Sequence, residues 1–188
     1  MNIMHEIADA IRIGLFNKKV INRVSKDKNT TNLAFILFFL ATILSSLITP
    51  LYFGETKLSF STDFFLILIC NVFLFILIHS LSKLFGSKTT FISFFRPVGY
   101  SHMLDILFVF AMPVFEGIAK IVVNIIWTIW FFLILILIIK EAYKFSLWKA
   151  IVLFVIVWLI TIGVIMLFVM IIFLAFPNIF ENLLALSD

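Results

Sequence analysis

The sequence predicts an all-α membrane protein: a polytopic helical bundle of five transmembrane helices, with the N-terminus in the cytoplasm and the C-terminus outside. Three observations predict this fold. Of the 188 residues, 64% are hydrophobic and only 13% are charged, with a mean hydropathy of +1.24, and a water-soluble domain of this size could not bury so much apolar surface. The apolar runs are continuous and long enough to span a bilayer, rather than alternating as in a membrane barrel. Most lysines and arginines fall in segments that such a bundle places on one side, as is typical of cytoplasmic loops.

Residues 1–30 are predicted to form a cytoplasmic segment that is both amphipathic and basic. Glu6, Asp9 and Arg12 occupy one helix face, and the apolar residues recur on the other face; these are Ile3, Met4, Ile7, Ile11 and Leu15. Such a helix either lies in the membrane interface, followed by a basic stretch that meets anionic lipid, or packs on the bundle itself, and the sequence leaves both alternatives open. Ile13 and Phe16 fall outside the apolar stripe. No cleavable signal peptide is expected here.

Residues 31–188 are predicted to form the membrane domain. Four spans correspond to charge-poor apolar runs, at residues 33–52, 64–81, 121–139 and 150–176. The last run is longer than the hydrocarbon layer requires, so we expect it to tilt. The single cysteine, Cys70, lies within the second run and excludes an internal disulfide framework.

The third span, residues 103–115, is short and contains Asp105 and Pro113. The distribution of positive charge indicates whether it crosses. If it does, 12 of the 14 lysines and arginines share the side of the N-terminus: six before residue 30, three between 83 and 96, and three between 140 and 149. If it does not, the division is 10 against four. The positive-inside tendency therefore favours five crossings.

Between the second and third spans lies a polar segment, residues 83–102, which cannot itself cross because three cations interrupt it. Its aromatic residues are large apolar groups that favour a surface, so the segment is predicted to be a structured loop at the membrane face. This loop, together with the basic N-terminal segment, supplies the predicted interaction surface. Its residues in the loop are Phe91, Phe94, Phe95, Arg96, Pro97, Gly99, Tyr100 and His102.

The same segment carries a family likeness. The second span ends in His79-Ser-Leu-Ser-Lys-Leu-Phe-Gly86, Phe91-Ile-Ser-Phe-Phe95 and Gly99-Tyr100 follow, and Leu147-Trp-Lys-Ala150 opens the last span. In these motifs the chain resembles the Yip domain family, which consists of Ypt/Rab-interacting-protein-like integral membrane proteins. The resemblance covers nearly the whole chain after about residue 30. It implies five spans of the same topology and no enzymatic activity.

In its eukaryotic branch this family is associated with Rab-type GTPases and vesicle traffic. The resemblance therefore implies the endoplasmic reticulum or Golgi for a eukaryotic member, and the plasma (inner) membrane for a prokaryotic one. Trafficking members usually have a longer cytosolic N-terminal region with an Asp-Leu-Tyr-Gly-Pro-like motif, which this sequence lacks. Its short N-terminal segment is more similar to that of the prokaryotic members.

Polar residues in or beside the predicted spans are candidates for function, because ionisable groups are costly in lipid. The candidates are Asp105, Glu116, Asn71, Asn124 and His79. Asp105 and Glu116 lie about three helical turns apart, so on a continuous helix they would share a face and could form a path for cations or protons. The simpler interpretation, which we favour, places one acid at each end of a short span. The amides more often join helices than bind ligands.

Other chemistries are not expected. The three histidines show no metal-ligand spacing and there is no second cysteine, so no metal or cofactor is predicted. The sequence Gly99-Tyr-Ser-His102 lacks the glycine that a nucleophile elbow needs after its serine. Outside the N-terminal segment there is no basic face that could follow a nucleic acid.

The sequence therefore predicts a non-enzymatic membrane protein that organises the membrane or binds partners. The expected partners are the lipid bilayer and another membrane protein or a second copy of the chain. The alternative is a subunit of a small transporter or channel that uses Asp105 and Glu116. Because five spans are few for a monomeric carrier, this alternative requires an oligomer.

Overall fold

The computed structural model describes residues 3–53 and 60–175, and within them it contains seven α-helices. In chain order these are α1 (Ile3–Gly14), α2 (Lys18–Lys26), α3 (Thr31–Phe53), α4 (Phe60–Leu84), α5 (Phe91–Ala111), α6 (Gly117–Tyr143) and α7 (Leu147–Ala175). Single 3₁₀ turns at Lys28–Thr30 and Met112–Val114 precede α3 and follow α5. The all-α class is confirmed for these residues.

Four of these helices, α3, α4, α6 and α7, supply stretches long and apolar enough to cross a bilayer. The stretches are Lys28–Leu47, Ser61–Leu84, Gly117–Tyr143 and Leu147–Phe168. They overlap the runs predicted at 33–52, 64–81, 121–139 and 150–176, so these four spans are confirmed as helices. Residues 176 and 177, where the last span is predicted to close, lie outside the described residues. A fifth crossing and the location of the termini stay predictions.

The long helices α3 to α7 alternate in direction along the bundle. The Thr89 hydroxyl, just before α5, donates to the carbonyl of Ala142 at the end of α6 (3.0 Å). The Lys149 ammonium, in the first turn of α7, donates to the carbonyl of Phe85 just after α4 (2.6 Å). The start of α5 therefore lies beside the end of α6, and the start of α7 beside the end of α4.

The N-terminal helices join this same end of the bundle. The side-chain amide of Asn22, in α2, donates to the carboxylate of Glu141 near the end of α6 (2.5 Å). Of the lysines and arginines that the structure describes, only Lys120 lies in the first turn of α6, at the opposite end. We therefore call the end that holds α2 and the connections 85–90 and 144–146 the cation-rich end.

The hydrophobic core also lies at the cation-rich end. The last turns of α6 are buried there, with Ile134, Ile138 and Ile139 at most 1% exposed. Leu153, in the second turn of α7, and Ile21 of α2 are fully buried and belong to the same cluster. The N-terminal helices thus cover the ends of the spans and bury them in protein.

Away from that end, the helices expose large apolar side chains. These run from Phe35 to Leu47 on α3, from Phe65 to Ile76 on α4, from Ile118 to Leu133 on α6, and from Val155 to Leu174 on α7. Water would not tolerate so large an apolar surface, so lipid must cover it. We call this band the lipid belt. On α6 it extends about 24 Å, most of the thickness of a hydrocarbon core.

Helix α5 corrects the prediction of a loop over residues 83–102. Only the connection 85–90 is non-helical; from Phe91 onward the chain is a helix that continues to Ala111 and includes Pro97. The Thr90 side chain begins this helix by accepting a hydrogen bond from the backbone N–H of Ser93 (3.4 Å). The predicted third span at 103–115 is therefore the second half of a longer helix, followed by a 3₁₀ turn.

The reason that α5 contains a glycine is its close packing on α3. A Cβ atom at Gly99 would lie 2.4 Å from the carbonyl oxygen of Ala34, a backbone atom that cannot move aside. Glycine and proline usually indicate a loop in a sequence. Here the glycine serves helix packing instead, which is its common role between membrane helices.

Helix α1 is amphipathic as predicted, but its apolar stripe faces away from the bundle. Met4 and Leu15 are 77% and 64% exposed. The opposite face packs on the protein, with Asp9, Ala10 and Ile13 at most 2% exposed. The two alternatives, packing on the bundle and lying in the membrane interface, concern different faces of α1. One face packs on the bundle, and the location of the apolar stripe in the membrane interface stays a prediction. Ile13 falls outside the stripe because it belongs to the packed face.

Candidate functional site

The residues predicted to form an interaction surface lie together on α5, but inside the protein. Phe91 is half-buried, and the other seven are buried; these are Phe94, Phe95, Arg96, Pro97, Gly99, Tyr100 and His102. Their placement in an exposed loop is wrong, because the first turns of α5 are enclosed by α1, α2 and α3. Their involvement in partner binding stays a prediction. What the structure shows is that they hold other helices in place.

Aromatic rings form the apolar part of this arrangement. Phe38 of α3 and Phe75 of α4 both lie edge-on or tilted to Phe95, with ring centroids 5.7 and 6.2 Å away. Phe94 stacks on Tyr143 of α6 at 5.1 Å. Offset and edge-to-face pairs at these distances are favourable beyond the area that they bury. The aromatic residues of the segment therefore join α3, α4 and α6 around α5.

Arg96 joins three helices through hydrogen bonds. Its Nη1 donates to the carbonyl of Ser25 in α2 (3.0 Å), and its Nε donates to the hydroxyl of Thr31 at the start of α3 (2.8 Å). The side chain is 7% exposed and has no ion-pair partner among the residues that the structure describes. A buried guanidinium is tolerated when its donors are satisfied, so Arg96 fixes the position of α2 through neutral acceptors.

Acidic side chains of α1 complete the attachment of the N-terminal helices. The Tyr100 hydroxyl of α5 donates to the carboxylate of Glu6, and the guanidinium of Arg23 in α2 pairs with the carboxylate of Asp9. His5 Nδ1 lies 3.5 Å from the same Asp9 carboxylate. The acidic face of α1 is therefore turned toward α2 and α5, and we call this set of contacts the N-terminal clamp.

A second polar site is a cavity of about 200 Å³ between α3, α4, α5 and α6. Asp105 lines it together with His102, whose Nδ1 lies 2.5 Å from Asp105 Oδ2. His102 Nε2 is buried and has no hydrogen-bond partner among the residues that the structure describes. The rest of the wall is apolar or weakly polar and consists of Ala41, Thr42, Ser45, Ile67, Asn71, Trp127, Thr128, Phe131 and Phe132. A carboxylate–imidazole pair in such a place could bind a proton or a small cation.

The structure brings two of the predicted intramembrane polar residues to this cavity and leaves three outside it. Asp105 and Asn71 line the wall, and Asn71 donates to the carbonyl of Ile67 (3.0 Å). Asn124 is exposed on α6. His79 lies at the cation-rich end, where its Nδ1 is 3.1 Å from the Tyr143 hydroxyl. Asn124 and His79 therefore do not belong to the cavity that contains Asp105.

Glu116 is exposed and lies just before α6, outside the cavity. The expectation that Asp105 and Glu116 could share one helix face is wrong, because α5 ends at Ala111 and a 3₁₀ turn and one extended residue, Phe115, lie between α5 and Glu116. Asp105 is in the interior of α5 and lines the cavity. The interpretation that each acid lies at one end of a short span stays a prediction.

Two observations bear on metal and serine chemistry. Within residues 3–53 and 60–175, no three His, Cys, Asp or Glu side chains gather as metal ligands would. The hydroxyl of Ser101 donates to the carbonyl of Val98 (2.7 Å), one turn earlier in the same helix. This bond is common for serines in membrane helices and leaves the hydroxyl without a base.

Several functional contacts were not foreseen from the sequence. The partners in the N-terminal clamp are far apart in the chain: Glu6 and Tyr100 are separated by 94 residues. Trp130 of α6 donates from its indole N–H to the carbonyl of Gly14 (3.1 Å). One signal could have indicated the packed face of α1, namely the small residues Ala10 and Gly14, which allow close helix approach.

Comparison with known proteins agrees with the likeness seen in the sequence motifs. A family model, described as the Yip1 domain, matches residues 15–179. This match begins before α2 and extends beyond the last described residue of α7. No curated protein and no solved structure matches the chain.

Proposed function

The chain belongs to the Yip1 domain family of non-enzymatic multi-pass membrane proteins, and from this premise we propose that it organises the membrane by adding bulk to one leaflet. The cation-rich end is cytoplasmic in this proposal, with five crossings and the C-terminus outside. The observation that carries it is the exposed apolar stripe of α1 at the edge of the lipid belt.

The fifth crossing is supported by where α5 begins and ends. Helix α5 starts beside the end of α6, and only residues 112–116 separate its own end from the start of α6. Since α6 passes from the far end to the cation-rich end, α5 with its 3₁₀ turn covers that distance in reverse in this proposal. Phe108 near the end of α5 stacks on Trp127 of α6 with ring centroids 4.3 Å apart. Arg96, His102 and Asp105 lower the hydropathy of α5, so α5 is not among the four helices that qualify as spans by length and composition.

The level of α1 follows from its contact with α6. Trp130 bonds the last residue of α1, Gly14, and lies three residues from Leu133, where the lipid belt of α6 ends. Tryptophan favours the boundary between headgroups and acyl chains. At this level the outward stripe enters the acyl region of the cytoplasmic leaflet, while the clamp holds the polar face to the protein.

This arrangement makes the protein wider in one leaflet than in the other. On the cytoplasmic side, α1 and α2 pack beside the spans, whereas on the far side only the span ends are present among the described residues. A shallow helix that displaces lipid expands the leaflet that it enters. The membrane then favours a curvature in which that leaflet is the convex one. The bilayer is therefore the first partner. A protein partner or a second copy remains a further proposal, for which the accessible surface is the α1 stripe rather than the buried side chains of α5.

The test uses Ile7 and Ile11, which are 36% and 40% exposed and lie in the stripe. The full chain, the double variant Ile7→Gln/Ile11→Gln, and the apolar control Ile7→Leu/Ile11→Leu are reconstituted at equal protein-to-lipid ratio. Vesicle diameters are measured by electron cryomicroscopy. We expect the wild type and the leucine control to produce smaller or tubular vesicles, and the glutamine variant to leave diameters near those of protein-free vesicles. Equal diameters for all three proteins would contradict the proposal.

The transporter alternative is favoured by one observation, the polar cavity that contains Asp105. The position of Glu116 outside that cavity weakens the original form of this alternative. The same vesicles decide between the two: proton and monovalent-cation flux is measured for the wild type, Asp105→Asn and Glu116→Gln. Flux that Asp105→Asn abolishes would establish transport as the function and displace the membrane-organising role.

A further inference from the structure

A second cavity lies at the cation-rich end, where three segments distant in the chain converge. It has a volume of about 290 Å³ and opens between α2, the α4–α5 connection with the start of α5, and the end of α6. Eight of the nine residues that line it have polar side chains, and the lining consists of Asn22, Ser25, Lys26, Lys88, Thr89, Thr90, Ser93, Ala142 and Lys144. Neither the motifs of the sequence nor the family assigns a role to it.

Each of the three segments contributes one lysine to the cavity. Lys26 is the last residue of α2, Lys88 lies in the α4–α5 connection, and Lys144 follows α6. No carboxylate lines the wall. The ammonium of Lys144 bonds the amide oxygen of Asn22, and neither Lys26 nor Lys88 forms an ion pair with a described residue. Three cations around one opening, with no carboxylate in its wall, create a local positive potential that favours an anion.

The charges that surround the cavity are engaged elsewhere. Glu141 accepts a hydrogen bond from Asn22 and pairs with Lys140, whose Nζ lies 3.3 Å from Glu141 Oε1. Asp27, next to Lys26, accepts from the backbone N–H of Asn29 (2.9 Å). Neither acid lines the wall, so both lower the positive charge of the cavity only from outside it.

Neutral hydrogen-bond donors complete the site. The Ser25 hydroxyl belongs to a residue only 6% exposed, lines the cavity, and makes no hydrogen bond to the described part of the chain. Thr90 and Ser93, at the beginning of α5, face the same space. Thr90 and Ser93 bond to each other, and Thr90 also caps the Ser93 N–H, so the N-terminus of α5 contributes its positive dipole rather than that N–H group.

We propose that this cavity binds a phosphate group, and specifically the phosphate of an anionic lipid headgroup from the cytoplasmic leaflet. Lysine ammonium groups bind phosphate as point charges, and hydroxyls and backbone N–H groups at a helix start supply directed hydrogen bonds. The cavity lies beyond the lipid belt, at the level of the headgroups. A lipid headgroup can therefore enter it while the acyl chains stay in the bilayer. Its volume accommodates one headgroup and no acyl chain.

The bound lipid would also add a connection between α2, the α4–α5 connection and the end of α6, which already contact each other through Asn22, Thr89 and the shared core. Lys26, Lys88 and Lys144 come from separate elements, and one phosphate between them would neutralise their mutual repulsion. Binding should therefore stabilise the folded chain in proportion to ligand concentration. This proposal does not depend on membrane bending and can fail or succeed separately from it.

The experiment compares two triple variants of the full chain in neutral detergent. The cavity variant is Lys26→Gln/Lys88→Gln/Lys144→Gln. The control is Lys19→Gln/Lys28→Gln/Lys83→Gln, which removes the same charge from exposed positions at the same end. Binding of short-chain phosphatidylglycerol, of phosphatidylcholine, and of inorganic phosphate is measured by native mass spectrometry and by the shift in unfolding temperature.

We expect phosphatidylglycerol to bind the wild type and the control alike and the cavity variant about tenfold or more weakly, because each lysine near an anionic headgroup contributes on the order of a fivefold change in affinity. Ser25→Leu, which fills the cavity and changes no charge, should weaken binding as well. If inorganic phosphate binds the wild type as well as the lipid does, the phosphate site stands and its natural ligand is soluble. Equal loss in the two triple variants, or no binding to the wild type, would overturn the proposal.

Discussion

The hydrogen bonds of Arg96 predict a large loss of stability when the side chain is removed. Arg96→Ala eliminates two charge-assisted bonds, from Nη1 to the Ser25 carbonyl (3.0 Å) and from Nε to the Thr31 hydroxyl (2.8 Å). Each bond of this kind contributes about 1.5–3 kcal/mol to stability. The Ser25 carbonyl is then left buried and unpaired, because its residue is only 6% exposed.

An opposing term reduces this loss. The guanidinium is 7% exposed and lacks an ion-pair partner among the described residues, so its burial itself costs free energy that the alanine variant recovers. The sum of these terms predicts that the free energy of unfolding falls by about 3 kcal/mol. Arg96→Lys keeps the charge but cannot form both bonds in the same geometry, so we expect roughly half of that loss.

The assay is unfolding of the full chain by sodium dodecyl sulfate in mixed micelles, followed by tryptophan fluorescence. Arg12→Ala is the matched control, because Arg12 is 55% exposed and lies 3.9 Å from the Asp9 carboxylate; its loss should cost no more than about 0.5 kcal/mol. A loss below about 1 kcal/mol for Arg96→Ala, or equal losses for the two variants, would refute the role of Arg96 in holding α2 and α3.

Two further substitutions and one control test the packing of α5 and α1 in the same assay. Gly99→Ala should lower the free energy of unfolding by about 3 kcal/mol, because its Cβ would lie 2.4 Å from the Ala34 carbonyl oxygen. Gly163→Ala, with no atom within 4 Å of its added Cβ, should leave stability unchanged or raise it by about 0.5 kcal/mol; similar effects at the two glycines would show that α3 and α5 are not in close contact. Asp9→Asn should release α1 at a cost of about 1–2 kcal/mol and speed proteolysis of the N-terminal segment; unchanged proteolysis would show that the clamp does not hold it.

The four long apolar spans could be predicted from the sequence because lipid leaves the chain little choice. In hydrocarbon a backbone must satisfy its own hydrogen bonds, so a charge-free run such as residues 121–139 is a helix regardless of its partners. Length and composition are then sufficient. The same reasoning predicted the all-α class without any knowledge of contacts.

The helix at residues 91–102 could not be predicted in this way. Pro97 and Gly99 are local signals of a loop. The three cations between residues 83 and 96 indicated that the segment lies outside the hydrocarbon layer. What makes this segment helical is its enclosure by α1, α2 and α3, and one sequence does not reveal those contacts. The close approach of Gly99 to Ala34 is meaningful only once the two helices are known to cross.

The orientation of α1 illustrates a different limit. In a soluble protein the apolar stripe of a helix faces the core. Beside a bilayer the apolar environment is the lipid, so the stripe with Met4 and Leu15 faces outward and Ala10 and Ile13 pack on the protein. The stripe itself was predicted correctly. Which way it faces depends on the clamp between Asp9 and Arg23, a pair that periodicity does not indicate.

The most direct test of the five-span account asks whether residues on either side of α5 are on opposite sides of the membrane. Leu84, 81% exposed, precedes α5 at the cation-rich end, and Val114, 80% exposed, follows it. In a Cys70→Ser background, Leu84→Cys and Val114→Cys are treated with a membrane-impermeant maleimide in intact bacterial spheroplasts that express the chain. The account predicts labelling of Val114→Cys in intact spheroplasts and of Leu84→Cys only after permeabilisation. Labelling of both from the same side would show that α5 does not cross, and the cytoplasmic cation-rich end would have to be abandoned with it.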